Sequence, residues 1–329
     1  MPAGRYNALS ALTVVVTTLL AANAHAQAWK PDKPIEIVIG TSPGGPQDRL
    51  GRLLQKVLHA YRWVDVPLSV VNKAGGGGAV ADAYISQHPG DARYVLINGI
   101  PILTNYITGK STFAYTDFTP LAVLGIEYVS ATVRTDSPIK SGRELVERLR
   151  KDPSSLSVAI GTALGNSTHI SFALAMKSAG VDIRKLKTVV FNSGGDSMTA
   201  LLGGHVDIAS AAPSSILPQV QAGKLRILAI GAPQRGVGEL ANVPTWKELG
   251  ITSSFELWRG LAGPKGMSAS QIAFWDDLMA KVVKTDEWRN DLQQNQIENI
   301  YKNSTETAKH WKGQYEDART VLMELGLAK

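Results

Sequence analysis

The stretch Pro34-Ile35-Glu36-Ile37-Val38-Ile39-Gly40-Thr41-Ser42-Pro43-Gly44-Gly45-Pro46-Gln47-Asp48 constrains the fold more than any other. Ile35, Ile37, Val38 and Ile39 favour a buried strand. Gly44 and Gly45 allow backbone conformations closed to other residues. Pro46 suits the first helical position, where its missing N–H is no loss. Asp48 adds negative charge to the first turn, which the helix dipole favours. Leu50, Leu53, Leu54, Val57, Leu58 and Tyr61 then recur at helical spacing, giving one apolar face. A strand ending in a glycine turn beneath a helix N-terminus is a ready anion site: several N–H groups converge there and the dipole adds partial positive charge.

The same rhythm recurs along the chain. Strands are predicted over 68–71 and 94–98, with a glycine loop over 72–78 and a helix over 79–87 between them. Residues 118–124 and 128–134 read as extended. The helix over 141–150 opens with a capping box, Ser141 and Glu144. A second unit follows: strand 156–160, turn 161–165, and a helix over 166–179 capped by Asn166. Next come strand 188–191, turn 193–195, a short helix over 196–202, and strands 206–209, 225–230 and 257–262. Helices are predicted over 268–284, 286–294 and 304–325. Alternating strands and helices imply mostly parallel sheets flanked by helices, here in two lobes facing a cleft. Ligands of open parallel sheets sit at the carboxyl ends of the strands. Three junctions would meet there: 41–48, 161–169 and 193–197.

Residues 1–26 read as a secretory signal peptide. Arg5 gives a positive start, 8–22 is apolar but too short to span a bilayer, and Ala24-His25-Ala26 is a small-x-small cleavage site. The mature chain would begin near Gln27, and the expected location is the periplasm. The 329 residues contain no cysteine, which excludes disulfides, thiolate metal sites and a lipidated N-terminal cysteine. The net charge is +6, a mild excess that favours small anionic ligands. Its Lys and Arg residues form no basic run, which argues against nucleic-acid binding.

Gly40-Thr41-Ser42-Pro43-Gly44 matches G-x-S-x-G, the nucleophile elbow of α/β-hydrolases. In that elbow the residue after the serine donates its N–H to the oxyanion hole, and Pro43 has none. A secreted hydrolase using Ser42 is therefore the weaker alternative to a ligand-binding loop. Gly76-Gly77-Gly78-Ala79-Val80-Ala81 fits a dinucleotide fingerprint, but it follows the second strand and lacks the acidic residue expected about 20 residues on. It reads as a structural loop, so no cofactor is expected. His169 is placed in the first turn of a helix, either as a neutral donor to a ligand carboxylate or as a packing residue. The remaining histidines show no metal-ligand spacing. Asp207, in Gly203-Gly204-His205-Val206-Asp207, either holds a loop or faces the cleft.

Taken together, these residues resemble the substrate-binding receptors of tripartite tricarboxylate transporters, the Bug family. The likeness covers nearly the whole mature chain. It includes Pro31-Asp32-Lys33-Pro34-Ile35, Pro43-Gly44-Gly45 with Asp48, and Asn72 with Gly75 and Gly78. Gly161, Gly165, Ser167 and His169 are similar to the family's Gly-x-Gly-Ser-x-x-His. Leu202 to Asp207, Ala222 to Arg226, Val243-Pro244-Thr245 with Glu248 and Gly250, and Trp258-Arg259-Gly260-Leu261 with Pro264 complete the series. Departures fall at Pro46-Gln47, Val71, Pro89 to Leu96 and Phe191-Asn192-Ser193.

The resemblance implies a two-lobed type II periplasmic-binding (Venus-flytrap) fold and a non-enzymatic receptor. Such a receptor hands a small carboxylate to a two-component membrane permease. A sensory partner of a signalling system shares the fold. A monomer is expected. In this family loop amides hold the carboxylate. The expected donors here are the N–H groups of Gly44 or Gly45 and of Gly165, Asn166 or Ser167. The hydroxyls of Ser42, Thr162 and Ser167 should lie near, and Gly161, Gly194, Gly195 and Asp207 nearby. Gln47, Asn192 and Asp196 should tune the choice of acid. No Arg or Lys lies within these loops. Hinges are expected near 124–126 and 226–229, with lobe 1 holding 27–124 and 228–329, and lobe 2 holding 125–227.

Overall fold

The structure is a computed structural model that describes residues 29–161, 163–253 and 255–329. The expected signal peptide and Thr162 lie outside the described residues. The first lobe opens with β1 (Ile35–Ile39), α1 (Pro46–Ala60), β2 (Leu68–Asn72), α2 (Ala79–Ser86), β3 (Tyr94–Asn98), α3 (Pro101–Ile107) and β4 (Phe118–Tyr128). The second lobe follows: β5 (Ser130–Arg134), α4 (Gly142–Lys151), β6 (Ser157–Gly161), α5 (Ser167–Ser178), β7 (Lys187–Phe191), α6 (Gly194–Leu202), β8 (Ile208–Ala211), α7 (Pro213–Gln221) and β9 (Leu225–Ile230). The chain then returns with β10 (Glu256–Pro264), α8 (Ala269–Val282), α9 (Asp286–Gln294) and α10 (Ser304–Glu324).

Each lobe is built on a five-stranded sheet, in the orders β2-β1-β3-β10-β4 and β7-β6-β8-β5-β9. The first three strands of each order pair in parallel, and the last two pairings are antiparallel. The fourth strand of each sheet, the one arriving from the other lobe, is therefore alone in running against its neighbours. The two sheets share one plan, and the α/β fold expected from the alternating pattern is the fold observed.

The crossings differ from expectation. β4 continues to Tyr128, and only Val129 separates it from β5. β9 lies wholly in the second sheet, paired with β5 from Leu225 to Ile230, and Gly231 N–H donates to Val129 O at 2.8 Å. The end of β9 is thus tied to the first crossing at Val129. After Gly231 the chain stays on the second lobe, where Trp246, Leu240 and Val243 join its cores, and it returns only at Glu256, opposite Tyr128. The expected boundary at 227/228 falls inside a strand of the second sheet, and that at 124/125 falls inside β4. A strand keeps its ladder partners, so neither can be cut there.

The cores follow from the sequence. The apolar stripe of α1 packs with Trp275, Trp288 and the inward residues of β1. On the sheet's other face, α2, α3 and α10 bury Ile85, Leu103, Trp258 and Trp311. In the second lobe, α4 and α5 cover one face and α6 and α7 the other. Among the described residues no helix is long and apolar enough to cross a membrane.

Candidate functional site

A cleft, partly open to solvent, lies between the lobes. At one end, here called the near end, three helix N-termini converge. The α1 turn is pinned from within. Gly44, at φ +84°, places its N–H on Asp48 Oδ2 at 3.0 Å, a geometry that glycine adopts without strain. Asn72 Nδ2 donates to Thr41 O at 3.0 Å and to Asp48 Oδ1 at 2.9 Å, and Arg52 Nε donates to Asp48 Oδ2 at 2.9 Å. Burial would raise the pKa of Asp48, but the hydrogen bonds from Arg52, Gly44 and Asn72 outweigh it, and the net shift is downward. Asp48 therefore holds the loop and does not meet the cleft, and the Gly44 N–H is already engaged.

The α5 turn is pinned in the same way. Asn166 Oδ1 accepts from His169 N at 2.9 Å, and Gly165 N–H donates to His169 Nδ1 at 3.0 Å. His169 is buried, and desolvation, with a smaller contribution from Lys110, pulls its pKa down to about 4. It is a neutral acceptor that closes its own loop. Of the two readings of His169 this favours the packing one, since its Nδ1 serves the loop and it is not among the residues lining the cleft, and it removes the Gly165 N–H from the candidate donors. Asn166 N–H donates to Ala163 O at 3.3 Å, so it too is occupied. Ser193 Oγ caps α6 by accepting from Asp196 N at 3.1 Å.

What remains is a set of first-turn donors. Gly45, Gln47, Ser167, Thr168 and Gly194 N–H groups have no partner among the described residues, and all five residues line the cleft. A Cβ placed on Gly45 would lie 4.0 Å from Ser193 Cβ, so the α1 and α6 termini face each other across it. Gly161 and Pro46 also line this space. Ser42 and Asn192 line a recess at its mouth, together with Lys110. Lys110 Nζ reaches across the lobes to Leu164 O at 2.5 Å, and desolvation lowers its pKa. No hydrogen bond joins Ser42 to a histidine or carboxylate among the described residues, so it lacks the base a nucleophile needs. Gly195 and Asp196 are exposed. Asp207 binds Ser157 N at 2.7 Å and Ser157 Oγ at 2.6 Å, fixing the start of β6 away from the cleft.

The far end was not legible in the loops. β10 brings Arg259 into the cleft wall, beside Asn98 at the end of β3. Arg259 is ion-paired with Glu127 of β4, which is 1% exposed. Glu127 also accepts from Ser214 N at 3.2 Å and Ser214 Oγ at 3.0 Å, in the first turn of α7. Burial, with Arg49 nearby, lowers Arg259 to about 9. Asp82, also lining the cleft, is held by Asn105 Nδ2 at 3.1 Å, and burial pushes it up to about 6. Gly77 and Gly78 of the glycine loop are part of the same wall. A cationic residue inside the apolar run from Leu257 to Ala262 was the one available signal.

The described residues contain no His, Asp or Glu group able to hold a metal ion. Comparison with known proteins decides the family. The model of the tripartite tricarboxylate transporter family receptor matches residues 55–327. The chain belongs to that family. A protein encoded in the gbd 5' region of Cupriavidus necator is 31% identical over 319 residues, 94% of this chain and 93% of that one. The periplasmic binding protein BugD superposes with a TM-score of 0.81 at 22% identity, over 91% of this chain and 99% of its own. MatC of Rhodopseudomonas palustris, solved with malate, gives 0.79 at 21% identity, over 89% and 99%. These receptors bind substrate without transforming it, so the chain is a solute-binding protein and not an enzyme.

Proposed function

We propose that this receptor captures a small organic carboxylate in its interlobe cleft and delivers it, in the periplasm, to the two-component permease of its transporter. The proposal includes export by a signal peptide over 1–26, cleaved near Ala26, and action as a monomer. One observation carries it: unpartnered first-turn N–H groups of α1, α5 and α6 converge on one end of the cleft. Helix N-termini stabilise anions through those N–H groups and the dipole. The donors are fixed before the ligand arrives, so little ordering entropy is lost on binding. MatC, of the same fold, binds malate, which is consistent with this chemistry.

Both lobes supply donors, so a ligand binds the closed arrangement better than the open one and shifts the population toward it. The crossings at Val129 and just before Glu256, which pairs with Tyr128, are the proposed hinge. A thermal-shift screen of organic acids tests the reading: an acid at 100 times its dissociation constant adds about 2.7 kcal/mol of stability. Failure of every carboxylate to shift the transition would sink it. Loss of uptake of the identified acid in a deletion strain would separate a transport receptor from a sensor.

A further inference from the structure

The far end of the cleft differs in chemistry from the near end. Four buried side-chain atoms of cleft-lining residues have no hydrogen-bond partner among the described residues: Arg259 Nε and Trp258 Nε1 on β10 and Asn98 Oδ1 at the end of β3, all at the far end, and Thr41 Oγ1 on the β1–α1 loop. All four residues line the cleft and are at most 8% exposed. Arg259 Nε is a donor. Asn98 Nδ2 donates to Leu96 O at 3.4 Å, which leaves Oδ1 as an acceptor. A buried polar atom without a partner is costly, so the bound ligand is the natural partner of Arg259 Nε and Asn98 Oδ1, which the β3–β10 pairing of Asn98 with Gly260 brings together. The wall asks for one group that both accepts and donates.

The charges around it are already balanced. Arg259 is paired with Glu127, and Arg49 with Asp291. Glu127 is further held by the first turn of α7, and Asp82 adds a third carboxyl to this part of the molecule. No cation is in surplus. A carboxylate placed here would lie close to Glu127 without a counter-ion of its own, and it could give nothing to Asn98 Oδ1. Burying an unpaired charge is far more costly than burying a neutral polar group with partners.

We propose that the far end recognises a neutral donor–acceptor group, so the ligand is a monoanionic acid with a carboxylate at one end and a carboxamide or hydroxyl at the other. This rests on the carboxylate reading above and deepens it. β10 is separated from β1 by β3 alone, two strand spacings or about 9.6 Å. That span suits two head groups joined by a short aliphatic chain. Ile100 and Leu257, which also line the cleft, would cover that chain.

Isothermal titration of the purified protein near neutral pH tests the proposal, using length-matched sets: succinate, succinamate and butyrate, then the glutarate and adipate counterparts. At the best length the half-amide should bind about tenfold or more tighter than the diacid, since the diacid buries an unpaired charge, and tighter than the plain monoacid. Glu127→Gln keeps an oxygen for Ser214 and releases Arg259, so it should move the preference toward the diacid. A wild-type protein that binds the diacid tightest at every length overturns the inference but leaves the carboxylate reading intact. Equal binding of diacid, half-amide and monoacid does the same. If no acid binds at all, the carboxylate reading fails and this inference with it.

Discussion

The two ends of the cleft solve recognition differently. The near end uses backbone: N–H groups at the starts of α1, α5 and α6, on loops pinned by Asp48, Asn72, Asn166 and His169. The far end uses side chains from sheet strands, with Arg259 and Glu127 buried together and Asn98 beside them. Backbone donors survive every substitution except proline, but they can be lost to the loop's own side chains, as the N–H groups of Gly44 and Gly165 are. Side-chain charges can be placed deep, but each needs a partner there. On the reading proposed above, the near end accepts net charge from a ligand, while the charges of the far end are already paired.

The largest effect should come from breaking the far end. Glu127→Ala leaves Arg259 buried without its partner and strips the α7 first turn, so stability should fall by about 3–5 kcal/mol. Urea unfolding checks this, and a loss below about 1 kcal/mol, the value of an exposed pair, would mean that the pair is not buried in solution.

The near end is best tested by Gly45→Pro. Gly45 has φ −83° and ψ 170°, which a proline ring tolerates, so the change removes one donor, and because Gly44 before it has φ +84°, an unchanged urea midpoint is the control that the loop still forms. Affinity for the identified acid should fall by about 1.5–3 kcal/mol, the value of a hydrogen bond to a charged group. Unchanged affinity would show that this amide does not touch the ligand. Gly165→Pro is not a usable test: its φ is +83° and its N–H is bound to His169.

A smaller effect is expected from pH. Asp82 titrates near 6 in the folded protein, above the unfolded value near 3.9. The folded state holds this proton more tightly, so its stability contribution is full below about pH 4 and lost as pH rises through 6. His169 acts in the opposite sense. Its folded pKa is depressed to about 4, so its contribution is present above about 6.5 and lost as pH falls through 4. Asp82→Asn should therefore raise the melting temperature relative to wild type above pH 6 and not below pH 4. A constant difference across that range would show that Asp82 is solvated.

The smallest effect belongs to Ser42. Ser42→Ala, in the outer recess, should change ligand affinity by less than about 0.5 kcal/mol, as for a surface site. No esterase activity should be present to lose. Serine-dependent ester turnover by the purified protein would reverse the assignment of the loop.

Much of this was legible from residues. The bounds of β3, β9 and α9 follow from apolar runs and caps, and Asn166 was readable as a cap because an Asn three residues before a helical His accepts its N–H. The short helices α3 and α7 were not. Both begin with proline, and α7 carries Pro218 inside it, so their local signal is that of a loop. The lobe boundary was misplaced because β9 looks like any apolar strand, and its sheet is set by a partner strand, β5, more than ninety residues earlier.

The sequence by itself determined the two repeating α/β units and the glycine turns under helix starts, and with them the proposed anion site, because propensity, capping and turn chemistry act over a few residues. Tertiary structure alone decided which amides remain available, since Asp48 and His169 must fold back four residues to occupy Gly44 and Gly165. It also decided the far end. Arg259 and Glu127 are 132 positions apart, and the charge balance that makes their end of the cleft neutral exists only where β4, β10 and α7 meet.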